Sequence, residues 1–89
     1  MQEMMNFLLT NVQYPKKAEK KGIEGRCIVR FIVEKNGSIS NVKVVRSVHP
    51  LLDAEAVRVV NSMPKWTPGK RNGKPVRVKF NIPVQFKLK

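Results

Sequence analysis

From residue 76 onward the chain alternates with a period of two. Val76, Val78, Phe80, Ile82, Val84, Phe86 and Leu88 are apolar, and Arg77, Lys79, Asn81, Pro83, Gln85 and Lys87 stand between them. Successive side chains of a strand point to opposite faces, so this stretch is a strand with one face in a core and one in water. Pro83 fixes its place in the sheet. Proline has no N–H to give a ladder, so a strand that carries one belongs at an edge. An open edge invites another chain to pair, and Lys, Arg and Pro are the residues that usually blunt it. The same row of backbone groups also suits capture of a partner peptide as an added strand. Protection and capture are both open readings of this edge.

The rest of the chain supplies what the strand packs against. Cys27, Val29, Phe31 and Val33 alternate with Arg26, Ile28, Arg30 and Ile32, giving one apolar and one mixed face. Asn36-Gly37 marks a hairpin in which both residues tolerate positive φ. The return strand covers 39–46, with a bulge allowed where Val44-Val45 breaks the alternation. Met4, Met5, Leu8, Leu9 and Val12 recur at helical spacing, which predicts an amphipathic helix over the first dozen residues. Gln13-Tyr14-Pro15 interrupts it, and Pro15 opens a short helix over 16–21 that Gly22 stops. Residues 47–63 predict a longer helix with Leu52, Ala56, Val59, Val60 and Met63 on one stripe, closed by Pro64. The fold class is α+β: a two-layer sandwich with a three-stranded antiparallel-type sheet, order 2-1-3, and helices on one face. A chain of 89 residues supports one core, so 1–89 is a single domain with 1–13 as an N-terminal helix extension.

Charge limits the partners more than the chemistry. Eighteen Lys and Arg against six Asp and Glu give a net charge of +12, which favours nucleic acid, anionic lipid or an acidic protein surface. The single Cys27 excludes an internal disulfide. No apolar run approaches the roughly 18 residues of a membrane span. The first residues carry Glu3 and lack the basic region and cleavage site of a signal peptide, so the chain as it stands is expected to be soluble.

Catalysis finds little support. Cys27 shares its face with Val29 and Phe31, as a small buried thiol would. His49 has no second histidine for a metal site, and Asp53 and Glu55, two apart on a helix, diverge. No enzyme, metal or cofactor is expected. Gly22-Ile23-Glu24-Gly25 has the form of a phosphate-clamping GXXG loop, but it holds an acid and leads into a strand. Phe31 and Phe80 fall on core-facing registers, not where bases would stack. No nucleic-acid partner is expected, and a basic nucleic-acid-binding module remains the alternative on charge alone. Trp66, between Pro64 and Pro68, reads as a lid on the core between the long helix and the sheet. The two prolines fix the chain's direction there, and Gly69 and Gly73 allow the turn into the last strand.

Taken together, Tyr14-Pro15, Ala18, Gly22, Gly25, Val29, Phe31, Val33, Asn36-Gly37, Val42, Val44, Ser47, Leu52-Asp53, Ala56, Met63-Pro64, Trp66, Pro68-Gly69 and the run 76–86 resemble the C-terminal domain of TonB. The resemblance covers nearly the whole chain. It is nearest in flavour to the Bacteroidota form, in which an extra helix precedes the Tyr-Pro pair. It implies the periplasmic part of an energy transducer, anchored in the inner membrane by a segment absent here. Such a transducer couples the proton-motive force, through ExbB and ExbD, to nutrient uptake across the outer membrane. The implied partners are TonB-dependent outer-membrane transporters, whose TonB box adds as a strand to the last strand. The implied contacts there are Val76, Arg77, Val78, Lys79, Phe80, Asn81 and Ile82, with Gln13, Tyr14, Pro15 and Lys17 beside them. A membrane sensor carrying the same domain is the alternative parent. An open edge would also let the isolated domain form a homodimer.

Overall fold

The computed structural model describes residues 2–88. Along the chain it forms α1 (Gln2–Asn11), α2 (Lys16–Lys20), β1 (Gly25–Val33), β2 (Ile39–Arg46), α3 (Pro50–Asn61), β3 (Gly69–Arg71), β4 (Lys74–Val76) and β5 (Val78–Phe86). β1 is the middle of a three-stranded antiparallel sheet of order β2-β1-β5, so the long strands follow the expected 2-1-3 order. Cys27, Val29, Phe31 and Val33 are at most 1% exposed. The register sets Val84 opposite Cys27 and Ile82 opposite Val29, so β5 buries the same face. Leu52, Ala56, Val59 and Val60 of α3 cover that face, and Met63, Ala18, Met4 and Leu8 complete the cluster. Each Val, Leu, Ile, Phe or Met side chain fully buried in this way contributes about 1.5–3 kcal/mol. On the opposite face, α1 approaches only the end at Arg26, and Ile28, Arg30 and Ile32 have no helix over them among the described residues.

Four local features differ from expectation. The helix predicted over 47–63 spans only Pro50–Asn61, because His49 is extended and its Nδ1 accepts from the Leu51 N–H at 3.2 Å. Pro50 then takes the first turn, where its missing N–H costs nothing. The residues before it turn back onto Asp53. Its carboxylate accepts from the Ser47 hydroxyl and, at 3.1 Å each, from the Val48 N–H and the Cys27 thiol.

The Asn36-Gly37 turn also departs from expectation: only Gly37 has positive φ, at 87°. Gly37 N donates to Glu34 O and Glu34 N to Ser38 O, both at 2.8 Å, which makes a three-residue loop closed by glycine. The two-residue form occurs instead at Asn72-Gly73, φ 53° and 77°, between β3 and β4. That hairpin breaks the strand predicted over 76–88. Val76 pairs with Gly69, Arg77 lies between strands, and β5 begins at Val78. Within β2 the register passes from Arg46 to Val44 while β1 moves one residue, so Val45 is the extra residue of the anticipated bulge. A second irregularity, between Lys43 and Ser40, contains Asn41 at φ 51°.

Trp66 is half-buried against the core, and its ring meets Phe7 of α1 edge-on, with centroids 6.4 Å apart. The sequence paired it with the long helix and the sheet; α1 shares it. Its backbone N donates to Gly37 O at 2.9 Å, while Nε1 is buried without a partner among the described residues. An unsatisfied donor offsets about 1–3 kcal/mol of the ring's burial. Trp66→Ala should therefore cost about 2 kcal/mol, less than truncation of a fully buried aromatic. A urea melt unchanged by the substitution would show that the ring does not hold α1.

Candidate functional site

The groups that could have carried catalysis are occupied by structural bonds. Burial, reinforced by the bond to Asp53 and its charge, pushes the Cys27 thiol up to about 12, so it carries no thiolate near neutral pH. Burial also raises Asp53, but donation from Ser47, Cys27 and the Val48 and His49 backbone outweighs it and leaves the carboxyl below its ordinary range. Burial acts likewise on Glu55, and is outweighed by the Arg58 guanidinium at 2.6 Å and the Gln13 N–H at 2.7 Å. Arg58 reaches back to Asn11 O at 3.2 Å. These bonds pin the segment after α1 to α3. The glycines at 22 and 25 end α2 and begin β1, with Glu24 between them accepting from the Leu88 N–H at 3.0 Å.

The sheet's two edges differ. β5 pairs with β1 over nine consecutive positions, Gly25 with Phe86 through Val33 with Val78, with no register shift. Its other side has no strand partner among the described residues. β2, the opposite edge, is interrupted twice. Bulges spoil the regular spacing that an incoming strand needs. Of these two edges, β5 presents the uninterrupted row of backbone groups, unpaired with a strand among the described residues. A proline fits an edge strand where its missing N–H would face outward, so Pro83 marks the outward register. At a period of two, Lys79, Asn81 and Gln85 direct their N–H groups the same way.

Around this edge the predicted residues fall into separate places. Val78, Lys79, Phe80, Asn81 and Ile82 lie on β5. Val76 is in β4, and Arg77 is tied to Glu34 at 2.6 Å. Arg77, with the Ser40 hydroxyl, holds the Glu34 carboxyl below its ordinary range. Tyr14 sits at the far end, its ring edge-on to Phe86 at 5.6 Å and its hydroxyl donating to Ile23 O. Gln13 is held to Glu55 of α3, Pro15 caps α2, and Lys17 lies on α2 with its side chain in water. So the Tyr-Pro segment lies beside the C-terminal end of β5, not beside 77–82. Of the residues read as structural, Gly69 starts β3, where an added Cβ would press on Val78. Pro64 and Pro68 flank Trp66, exposed and half-buried respectively.

Sequence reasoning missed a cleft between α1 and the C-terminal half of β5. Met5, Leu8, Leu9 and Val12 of the α1 segment face Arg26, Pro83, Val84 and Gln85 across a space of about 120 Å³. Leu9 is 73% exposed, although the helical pattern put it on the core stripe. Its spacing alone could not show that α1 lies along an edge.

A helix-backed antiparallel sheet of order β2-β1-β5 with one regular open edge defines a small two-layer α+β module. This chain belongs to the family described as Gram-negative bacterial TonB protein C-terminal, whose profile matches residues 10–88. Two curated proteins named Protein TonB, from two strains of Helicobacter pylori, are each 34% identical over 79 residues. Those matches cover 86% of this chain and 26% of the relatives, so the chain spans about a quarter of their length. The solution structure of a longer form of the Helicobacter pylori TonB C-terminal domain superposes with a TM-score of 0.76 at 26% identity, covering 97% of this chain and 78% of that one. A shorter form gives 0.74 at 27% identity, covering 99% and 92%. The family match starts at residue 10, so most of α1 precedes it.

Proposed function

We propose that the domain captures a TonB box, the short extended peptide of an outer-membrane transporter, as an added strand on β5. It does so in the periplasm, as the C-terminal part of a non-enzymatic transducer anchored in the inner membrane and driven through ExbB and ExbD. The observation that carries the reading is the unbroken nine-position register of β5 beside an unpaired outer edge. The apolar cleft against α1 adds support, because alternate side chains of an added strand need somewhere to rest. Family membership supplies a partner of the right form.

A backbone-amide NMR titration with a TonB-box peptide tests this. Shifts should cluster on β5 and on Tyr14 beside Phe86; shifts confined to β2 or the Gly37 loop would overturn it. Lys79→Ala should weaken binding by only about 0–1 kcal/mol, as for an exposed charge. Asn81→Pro removes an outward N–H and should cost about 2 kcal/mol, roughly thirtyfold in Kd, with folding checked first by circular dichroism.

A further inference from the structure

The face of the sheet turned away from α3 is a second surface, which includes side chains of β5 but not that strand's open backbone edge, and which α1 approaches only at the Arg26 end. Pairing places Arg26, Ile28, Arg30 and Ile32 of β1 on it, with Arg46, Lys43 and Ser40 of β2 on one flank and Lys79, Asn81, Pro83 and Gln85 of β5 on the other. Five of these are cations: Arg26, Arg30, Lys43, Arg46 and Lys79. None makes a hydrogen bond or ion pair among the described residues, whereas Arg58 and Arg77 elsewhere are both paired. The carboxylates at the two ends of the face are engaged, Glu34 by Arg77 and Ser40, and Glu24 by the Leu88 N–H.

The arrangement opposes the fold's own interest. Arg30 and Lys43 are direct cross-strand partners, and like charges in that relation destabilise a sheet. With Lys79, Ile32 and Asn41 they line a cleft of about 190 Å³. Asn41 is in the left-handed region at the β2 irregularity, which places it in that cleft. Three unpaired cations and an amide around a shallow cleft form a receptor for a phosphate-sized anion.

We propose that this face docks on an anionic lipid surface, with a headgroup phosphate in the Arg30–Lys43–Lys79 cleft. Charge complementarity selects an anionic partner, and the remaining residues select lipid. Between the cations stand Ile28 and Ile32, both half-buried aliphatics. Aliphatic side chains flanked by long cationic stems suit a headgroup boundary. A single-strand nucleic-acid sheet needs outward aromatics, and this face has none. The proposal does not depend on capture of a peptide at β5.

Co-sedimentation with vesicles tests it, using phosphatidylcholine containing phosphatidylglycerol against phosphatidylcholine alone. The chain should partition onto the anionic vesicles only, and less as salt rises. Arg30→Gln/Lys43→Gln should reduce the partition coefficient by about thirtyfold. It should leave thermal stability equal or higher, because a like-charge pair has gone. Lys16→Gln/Lys20→Gln, with the same change of net charge on α2, should lose only a few-fold. Equal losses in the two double variants would overturn the proposal, since net charge would then explain the binding. So would absence of partition, or inorganic phosphate or a single-stranded oligonucleotide engaging Arg30 where vesicles do not. Arg30 and Lys43 lie off β5, so peptide binding measured on the same variant separates this surface from the edge.

Discussion

Gly37→Ala should lower the unfolding free energy by about 4 kcal/mol, as strain, overlap and a lost hydrogen bond combine. Gly37 has φ 87°, where an L side chain is strained, and an added Cβ would overlap the Trp66 carbonyl oxygen. Backbone atoms cannot swing aside as a side-chain tip can. Relief would require separating the loop from the Trp66 segment, with loss of the 2.9 Å bond from Trp66 N to Gly37 O. Gly73→Ala is the matching control. Gly73 also has positive φ, 77°, but nothing lies within 4 Å of its added Cβ. It should lose only about 1–2 kcal/mol, the conformational cost alone. Urea melts giving the same loss at both positions would show that the approach to Trp66 contributes nothing.

Phe31→Ala should cost a similar amount, about 3–5 kcal/mol, for a different reason. The ring is fully buried on the central strand and stacks on Phe80, with centroids 5.7 Å apart and planes at 21°. β2 and β5 hold β1 from both sides, so the sheet cannot close over the cavity. Phe80 is half-buried on the edge strand, and Phe80→Ala should lose about half as much. In a small domain with only about 5–15 kcal/mol of stability, the larger loss would reach much of the total. A Phe31→Ala loss below about 2 kcal/mol in a denaturant melt would mean that the core collapses around the gap.

Periodicity carried the features that burial dictates. The apolar registers of β1 and β5, the stripe of α3 and the sheet order all follow from which residues must leave water. Pro83 carried the edge, because a missing N–H is visible in one letter. Turn chemistry was less legible. Asn36-Gly37 and Asn72-Gly73 are the same dipeptide, yet only the second forms the two-residue turn. In the first, the Asn36 side chain accepts from Ser38 N at 3.0 Å and leaves Gly37 alone at positive φ. Ser47 was read into a helix, but its hydroxyl turns back to Asp53, whose other carboxylate oxygen accepts from Cys27, 26 residues away in sequence. The place of the Tyr-Pro segment along β5 was not legible for a different reason. Tyr14 meets Phe86 from the other end of the chain, and local spacing does not encode that meeting.

The inequality of the two edges also limits how copies of this domain could assemble. Endless head-to-tail stacking needs two competent and different edges, β5 of one copy against β2 of the next, repeated without closure. The interruptions at Val45 and Asn41 deny the second of these. What remains is β5 against β5 about a twofold axis, a union that closes on itself and leaves only interrupted edges outermost. Self-association by this route therefore ends at a pair and cannot grow into a filament. Because it would use the backbone groups on which the proposed peptide would add, each copy could then be paired or loaded, but not both.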